Sequence, residues 1–198
     1  KNTAKHLPIV VTGRNIKGAG LFALNFDNFA GGVLATEHLI SLGHRKIAFI
    51  SGDAAHPDAN ERLRGYTTAL KNAGIPFDAN LVVPGDYQVE SGLAATDLLL
   101  ASRRKFTAIF CANDQMAYGA ALSLHRKGLR TPEDVSLIGF DDIYHSLYVA
   151  PPLSTIHQPA YEMGRLTASS ILQMLAGNKP TAAMPAPELI IRESTAKL

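Results

Sequence analysis

The sequence predicts an α/β protein with doubly wound parallel sheets. Short apolar runs that suit strands buried on both faces recur along the chain, and amphipathic segments of about 10–15 residues separate them. The run Val135–Gly139 is the clearest of these strands, and Asp141 and Asp142 follow it almost directly. Because right-handed crossovers place every strand-to-helix loop at one edge of a parallel sheet, we expect a ligand site at the carboxyl ends of the strands.

The first elements are two short strands and a helix. Apolar runs predict strands at 8–12 and 21–26. The helix expected at 31–42 carries apolar residues at helical spacing, and Gly43 stands at the position where helix ends favour glycine. These elements precede a longer series built on the same plan.

The order of strand, loop and helix then repeats. The predicted strands lie at 46–51, 81–83, 108–112 and 135–140, and the predicted helices at 60–73, 90–101 and 115–127. A short helix is expected to begin near Ile143, and the segment 151–158 connects it to a helix at 161–176. A strand at 188–192 is the last element. Such alternation predicts βαβ units.

Composition narrows the class of protein. The 198 residues carry a net charge of +2, with 46% hydrophobic and 18% charged residues, which is ordinary for a soluble globular protein and indicates no particular partner. A single cysteine, Cys111, excludes an internal disulfide framework and suits a reducing compartment. No apolar stretch reaches membrane-spanning length and no signal peptide is visible. We therefore expect a cytoplasmic protein.

Polar and aromatic side chains follow the predicted strands at the edge where a ligand is expected. The candidates are His56, Asp58, Arg62, Tyr87, Asn113, Asp141 and Gln158. An aromatic face stacks on the apolar face of a sugar or a base, and carboxylate, amide and guanidinium groups exchange hydrogen bonds with hydroxyls. This combination predicts a binding site for a small polar molecule.

Two of these candidates have a structural alternative close by in the sequence. Arg62 is near the start of its helix and has Asp58 and Glu61 within reach as ion-pair partners. Tyr87 follows a Pro-Gly-Asp turn, where it would serve equally well as a packed turn residue. Both interpretations stay open at the level of sequence.

Polar residues at strand ends also serve as helix caps. Asn113 stands directly before a predicted helix, and Asp142 directly before a short one, so each is a candidate N-cap. Gln158, which precedes a proline, suits an exposed connector. Asp141 has no such role, and its burial without a partner would cost several kcal/mol. A ligand hydroxyl or a neighbouring arginine is therefore the better account of Asp141.

The sequence gives little support for catalysis. It contains no G-x-S-x-G elbow, no P-loop and no H-E-x-x-H motif. Cys111 belongs to the body of a strand, which does not suit a nucleophile, and adjacent carboxylates such as Asp141 and Asp142 usually point in different directions. We expect no enzyme activity, no cofactor and no bound metal.

A series of motifs, taken in order, resembles a known family. Two are Pro132-Glu-Asp-Val-Ser-Leu-Ile-Gly-Phe-Asp-Asp142 and Pro151-Pro-Leu-Ser-Thr-Ile-His-Gln-Pro159. The others are the runs 27–28 with 31–32, 35–40 with 42–52, 62–66, 85–87 with 90–92, 113–120 and 189–192. Together they resemble the effector-binding domain of the LacI/GalR family of bacterial transcription regulators, over nearly the whole chain.

The resemblance implies a type I periplasmic-binding-protein-like fold and a domain division. Residues 27–158 with 185–198 would form one complete C-terminal subdomain, and residues 1–26 with 159–184 part of an N-terminal one. The family's DNA-binding headpiece is absent from the sequence. By motif position Asp27, Arg62, Tyr87, Asn113, Asp141 and Gln158 resemble the family's effector contacts, whereas His56 and Asp58 fall in a variable loop.

The implied function is that of the ligand-sensing and dimerisation domain of a transcription repressor. Such a domain binds a small effector, here a sugar, a sugar derivative or a nucleoside, and the full-length homodimer binds operator DNA through the missing headpiece. An alternative with the same fold is the periplasmic sugar-binding protein of an ABC importer. An upstream signal peptide and a monomeric state would indicate the importer protein, whereas a headpiece and a dimer would indicate the regulator.

Overall fold

A computed structural model describes residues 7–14, 16–102 and 104–198 of the chain. The chain divides into two compact units, Lys1–Asp27 with Pro159–Ala186, and Asn28–Gln158 with Pro187–Leu198. Residues 1–6 of the predicted N-terminal segment lie outside the described residues. We refer to the two as the smaller and the larger unit and describe each by itself.

The elements follow one another in nearly strict alternation. In chain order they are β1 (Ile9–Thr12), β2 (Leu21–Leu24), α1 (Asn28–Ser41), β3 (Ile47–Ser51), α2 (Pro57–Asn72), β4 (Val82–Pro84), α3 (Val89–Ala101), β5 (Ala108–Cys111), α4 (Asp114–Arg126), β6 (Ser136–Ile138), β7 (Thr155–His157), α5 (Ala160–Leu175) and β8 (Glu188–Ile190). Two 3-10 helices, Ala79–Leu81 and Tyr144–Leu147, complete them. This confirms the α/β class with parallel sheets.

A parallel sheet in the order β4-β3-β5-β6 forms the centre of the larger unit. Every residue of β5 and β6 is buried, and so are Ile47–Ile50 of β3, as expected for strands covered on both faces. The helix pairs α1–α2 and α3–α4 each pack closely. Phe49 of β3 stacks on Tyr66 of α2, with ring centroids 5.0 Å apart, and fixes α2 on the sheet.

Small residues bring α1 close to the start of α2. A Cβ atom added to Gly32 of α1 would lie 2.5 Å from the carbonyl oxygen of Arg62. Gly65, one turn further along α2, would in turn meet the backbone of Phe29. The two glycines therefore allow the backbones of α1 and α2 to touch at the turn that contains Arg62. This contact fixes the position of the Arg62 backbone, from which the side chain extends.

The segment predicted as a plain connector, 151–158, contains a strand. Residues of β7 pair antiparallel with β8, with Ile156 opposite Leu189, so the sheets of the protein are not all parallel. At three residues β7 is too short for its sequence to separate a strand from an extended loop. A helix cap was the structural alternative for Asp142, but the residue at the N-cap of the 3-10 helix Tyr144–Leu147 is Ile143, with no side-chain cap bond. The Asp142 carboxylate binds Arg192 and His157 instead.

The smaller unit contains β1 and β2 as a parallel pair, with Val10 opposite Phe22, and α5 contacts both strands. Several large apolar side chains of α5 are exposed, among them Tyr161 and Leu172. None of the helices described is both long enough and apolar enough to cross a membrane.

Candidate functional site

The predicted site residues of the larger unit lie in loops after strands or, for Asp58 and Arg62, in the first two turns of α2. His56 and Tyr87 follow β3 and β4, Asn113 follows β5, and Asp141 follows β6. Gln158 follows β7, and the backbone amide of Gln158 donates to the carbonyl of Asp141, 3.2 Å away. The topology thus delivers polar side chains from successive strands to one edge, as parallel sheets do.

Arg62 is the centre of this group. The side chain is 6% exposed, and the guanidinium donates to four acceptors. These are Asn28 Oδ1 at 2.8 Å, the Ala112 carbonyl, Asp141 Oδ1 at 3.4 Å and Gln158 Oε1 at 3.3 Å. The structural alternative, an ion pair with Glu61 or Asp58, is wrong because Glu61 pairs with Arg64, and Arg62 binds the four acceptors just named.

Aromatic rings border the Arg62 guanidinium. The Phe140 ring centroid lies 3.7 Å from Arg62 Cζ, which is a cation–π contact, and the Tyr87 ring centroid lies 5.9 Å away. Stacking on Phe140 leaves the guanidinium edge free to donate in its own plane. The guanidinium is therefore held in position by packing as well as by hydrogen bonds.

Asp141 occupies an unusual backbone position. Its φ of 113° lies in the region that favours glycine, and its amide donates to the carbonyl of Ile156, 2.9 Å away. Burial raises the pKa of Asp141 to about 7, a rise that the charge of Arg62 opposes and the charges of Asp114 and Asp58 reinforce. The carboxyl therefore changes its protonation state near neutral pH, either accepting or donating hydrogen bonds.

Tyr87 lies against the β3 loop with an unused hydroxyl. Its φ is 72°, and its ring covers Gly52, where any Cβ atom would overlap the ring. The Tyr87 hydroxyl is buried and has no hydrogen-bond partner among the described residues. Burial also raises the pKa of Tyr87, so the hydroxyl keeps its proton at neutral pH. It is a donor without an acceptor, which is a rare arrangement.

Asn113 has the capping role that the sequence left open. Its Oδ1 accepts from the amide of Met116, 2.9 Å away, and its Nδ2 donates to the carbonyl of Tyr87, also 2.9 Å away. Asn113 thereby caps α4 and fixes the Tyr87 loop at the same time. The second Nδ2 proton is the capacity left for a ligand.

The remaining predicted residues are less closely integrated. His56 is exposed, its ring centroid lies 6.0 Å from that of Tyr87, and its Nε2 lies 3.9 Å from Asp53 Oδ2. Asp58 is half-buried, and its charge raises the pKa of both Tyr87 and Asp141. Asp27 is an exposed residue at the end of the β2 segment of the smaller unit, so the larger unit contains seven of the eight predicted residues.

Residues that sequence reasoning missed complete the surroundings of Arg62. Asn28 belongs to a family motif and Phe140 to the predicted strand 135–140, and neither was a predicted site residue, yet both contact Arg62 directly. A contact across 34 residues of sequence, as for Asn28, leaves no periodic signal. The position of Asn28 immediately after Asp27 is the one clue, because polar residues cluster at strand ends.

A second buried polar cluster lies beside the first. The carboxylate of Asp114 is fully buried and accepts from Thr155 Oγ1 at 2.6 Å, Ser146 Oγ at 2.7 Å and the Ile143 amide at 3.0 Å. Burial raises the pKa of Asp114, while these hydrogen bonds lower it. Asp114 thus joins the start of α4 to β7 and to the 3-10 helix.

The group around Arg62 has the chemistry of a binding site. It offers a guanidinium fork, a carboxyl, two amides and a tyrosine, which together suit hydroxyl-bearing ligands. Cys111 is buried, and burial raises the pKa of its thiol, which opposes thiolate formation. In the part of the chain that the structure describes, no three His, Cys, Asp or Glu side chains are grouped closely enough to hold a metal ion.

Comparison with known proteins gives consistent relatives. Residues 36–195 match the family described as periplasmic binding protein-like domain. The HTH-type transcriptional repressor PurR of Haemophilus influenzae is 40% identical over 172 residues, which make up 84% of this chain and 51% of that repressor. The chain therefore spans about half the length of the curated relatives it matches.

Solved structures agree with this match. A sugar-binding transcriptional regulator of the LacI family from Escherichia coli, complexed with phosphate, superposes with a TM-score of 0.90 at 35% identity, over 96% of this chain and 69% of that one. A LacI family regulator from Enterococcus faecium with bound ribose gives 0.87 at 32% identity, over 96% and 72%.

Proposed function

The chain belongs to the LacI family of transcriptional regulators and contains the periplasmic binding protein-like domain, and on that premise we propose that Arg62 and the residues around it bind the effector of a regulator. We call these residues, Arg62, Tyr87, Asp141 and Gln158, the Arg62 group. The observation that carries the proposal is the set of unused hydrogen-bonding capacities around Arg62. Arg62 reaches Asp141 and Gln158 only at 3.4 and 3.3 Å, and the buried Tyr87 hydroxyl lacks a partner among the described residues. A ligand that shortens or replaces these contacts gains affinity.

A sugar is the effector class that we propose. Tyr87 offers an aromatic face, and the polar groups of Arg62, Asp141 and Gln158 suit adjacent hydroxyls. The Enterococcus faecium relative has ribose bound, and a further relative, CelR, forms a complex with cellobiose. Nucleosides present a sugar and a base together and form the second class to be tested.

The regulator role includes activities that these 198 residues need not carry alone. We assign operator binding to a DNA-binding headpiece outside this sequence, since relatives designated HTH-type repressors are matched over about half their length. We also assign the larger unit to the family's C-terminal subdomain and the smaller unit to part of the N-terminal one. Effector binding would then shift operator affinity through a coupling free energy of about 1–3 kcal/mol.

We propose that the full-length protein is a homodimer in the cytoplasm. We also propose that it has no catalytic activity. Leu122 of α4 and Tyr148, next to the 3-10 helix, are exposed large apolar side chains. Leu122 and Val149, the residue after Tyr148, line one surface cavity. Exposed apolar surface of this kind is a feature of interfaces between proteins. The importer alternative lacks comparable support, because the relatives compared are regulators.

Calorimetric titration of the full-length gene product tests the proposal. D-ribose, cellobiose and a panel of monosaccharides and nucleosides serve as ligands, with Arg62→Lys and the matched control Arg64→Lys. We expect one ligand class to bind, with affinity reduced about 100-fold by Arg62→Lys because lysine cannot reproduce the guanidinium fork. Arg64, an exposed neighbour paired with Glu61, should tolerate the change. Binding unaffected by Arg62→Lys, or no binding by any sugar or nucleoside, would contradict the proposal.

A further inference from the structure

Asp142 points away from Arg62 into a small ionic cluster. Its Oδ1 accepts from Arg192 Nη2 at 2.6 Å, and its Oδ2 lies 2.8 Å from His157 Nδ1. The side chains of Asp142 and Arg192 are 16% and 12% exposed. Arg192 Nη1 also donates to the carbonyl of Leu153, at 2.7 Å. Arg192, two residues after β8, thus joins the end of the chain to the segments on either side of the 3-10 helix Tyr144–Leu147.

Two members of this ionic cluster are the sequence neighbours of the two residues that contact Arg62, Asp141 and Gln158. Asp142 follows Asp141, and His157 precedes Gln158. The backbones are paired as well, since Asp141 and His157 form an isolated parallel bridge and the Gln158 amide donates to the Asp141 carbonyl. The side chains of Asp141 and Gln158 contact Arg62, whereas those of Asp142 and His157 contact each other, and Asp142 also contacts Arg192. The ionic cluster and the pair that meets Arg62 therefore use alternate residues of the same two segments.

The backbone at this point needs such support. Asp141 and Asp142 have φ values of 113° and 58°, two consecutive residues in a region that side chains disfavour. Strained positions of this kind persist only where the surroundings fix them. Two backbone hydrogen bonds fix Asp141, to Ile156 and to Gln158, whereas the Asp142 side chain is fixed by Arg192 and His157.

We propose that Asp142, Arg192 and His157 are positioning residues, a clamp that holds Asp141 and Gln158 at the angle at which they meet Arg62. The proposal rests on the proposed function in that the held pair belongs to the effector site. Its direct consequence is a property of the ligand-free protein. With the clamp intact, the Asp141 carboxyl stays at fixed distances from the charges that act on it, which are those of Arg62, Asp114 and Asp58.

A charge effect and a positioning effect are separable by mutation. Arg192→Gln breaks the clamp and leaves the Asp142 charge without its guanidinium. The double variant Arg192→Gln with Asp142→Asn breaks the clamp but restores the charge balance. The matched control is Arg130→Gln with Asp134→Asn, which removes an exposed pair, 3.0 Å apart, from the same unit.

The measurement is NMR of the full 198-residue chain without ligand. It follows the pH titration of the Asp141 carboxyl carbon and the hydrogen exchange of the Asp141 and Gln158 backbone amides. We expect Arg192→Gln to move the Asp141 midpoint upward, because an unpaired carboxylate beside it favours the protonated form. We expect exchange at both amides to be at least about tenfold faster in the single and the double variant, and unchanged in the control.

Wild-type exchange and titration in the double variant would show that only charge matters and would overturn the clamp. Unchanged behaviour of Arg192→Gln would overturn it as well. Should Arg192→Gln fail to fold, Arg192→Lys keeps the charge without the fork and is judged by the same readouts. Because no ligand is used, failure here leaves sugar binding at Arg62 untouched, and failure of sugar binding leaves the clamp measurable.

Discussion

The two buried polar clusters of the larger unit differ in how completely their hydrogen bonds are made. Asp114 accepts three bonds of 2.6 to 3.0 Å, all from groups of the chain itself. Arg62 is as deeply buried, yet its bonds to Asp141 and Gln158 are 3.4 and 3.3 Å long, and Tyr87 beside it has an unpartnered hydroxyl among the described residues. Both oxygens of the Asp114 carboxylate accept bonds of ordinary length, whereas the Arg62 group has two long bonds and a buried hydroxyl without a partner among the described residues.

This difference separates a structural role from a binding role. A saturated buried network stabilises the fold and has nothing to offer a ligand, whereas an incompletely bonded one costs stability until a ligand completes it. Burial alone does not distinguish the two, because Asp114 and Arg62 are both nearly inaccessible. The predictions below test whether the distinction holds.

The largest effect is expected for Asp114→Ala. The change leaves the Ile143 amide and the hydroxyls of Thr155 and Ser146 without their buried acceptor, so we expect the free energy of unfolding to fall by about 3–5 kcal/mol. Sugar affinity of the folded protein should change by less than about 1.4 kcal/mol, that is less than tenfold. Urea denaturation and calorimetry measure the two quantities.

The exposed carboxylate of Asp134 is the control for this change. Asp134→Ala removes an exposed ion pair, and we expect the free energy of unfolding to change little. The distinction between the clusters would be broken if Asp114→Ala changed stability as little as Asp134→Ala does, or if it abolished binding while the protein stayed stable.

A smaller, pH-dependent effect is expected at Asp141. Its pKa is raised to about 7, so between its ordinary value near 4 and pH 7 the folded protein holds a proton that the unfolded chain has released. Stability due to this group is therefore present at low pH and lost as the pH rises to 7. Relative to Asp141→Asn, which does not titrate, wild type should lose on the order of a few kcal/mol over this range.

Urea denaturation at pH 4, 5, 6, 7 and 8 gives the difference between Asp141→Asn and wild type directly. Taking the difference removes the contribution that Asp114 makes independently of Asp141, whereas the charge interaction between the two carboxyls remains in the difference. A difference that stays constant with pH would mean that Asp141 titrates at its ordinary value and is not a buried member of the group.

The sequence predicts that polar residues gather at one edge of the sheet. It does not predict which of them face a ligand and which bind other parts of the chain. Parallel topology fixes which residues follow strands, so Arg62, Tyr87, Asn113, Asp141 and Gln158 were predicted as neighbours. Whether a polar residue at a strand end turns outward or inward depends on packing between distant segments. The side chain of Asp114, one residue after Asn113, points inward and binds Thr155. No sequence pattern near Asp114 predicts this contact. For Asp142 the sequence left a cap role open, because its partner Arg192 is 50 residues away.

The smallest expected effect comes from Tyr87→Phe, and it tests the account most directly because it removes the unused capacity and little else. In the ligand-free protein we expect stability to be unchanged or raised by up to about 1 kcal/mol, since a buried hydroxyl without a partner is lost. Sugar affinity should fall about five- to tenfold, the worth of about one hydrogen bond.

Tyr66→Phe is the matched control, because the Tyr66 hydroxyl donates to the carbonyl of Ile47 at 2.8 Å in the interior of the same unit. It should cost about 1 kcal/mol of stability and leave sugar affinity unchanged. Denaturation and calorimetry on the two variants therefore give opposite patterns if the Arg62 group is the effector site. A Tyr87→Phe protein that is less stable without ligand and binds sugar as tightly as wild type would contradict the account.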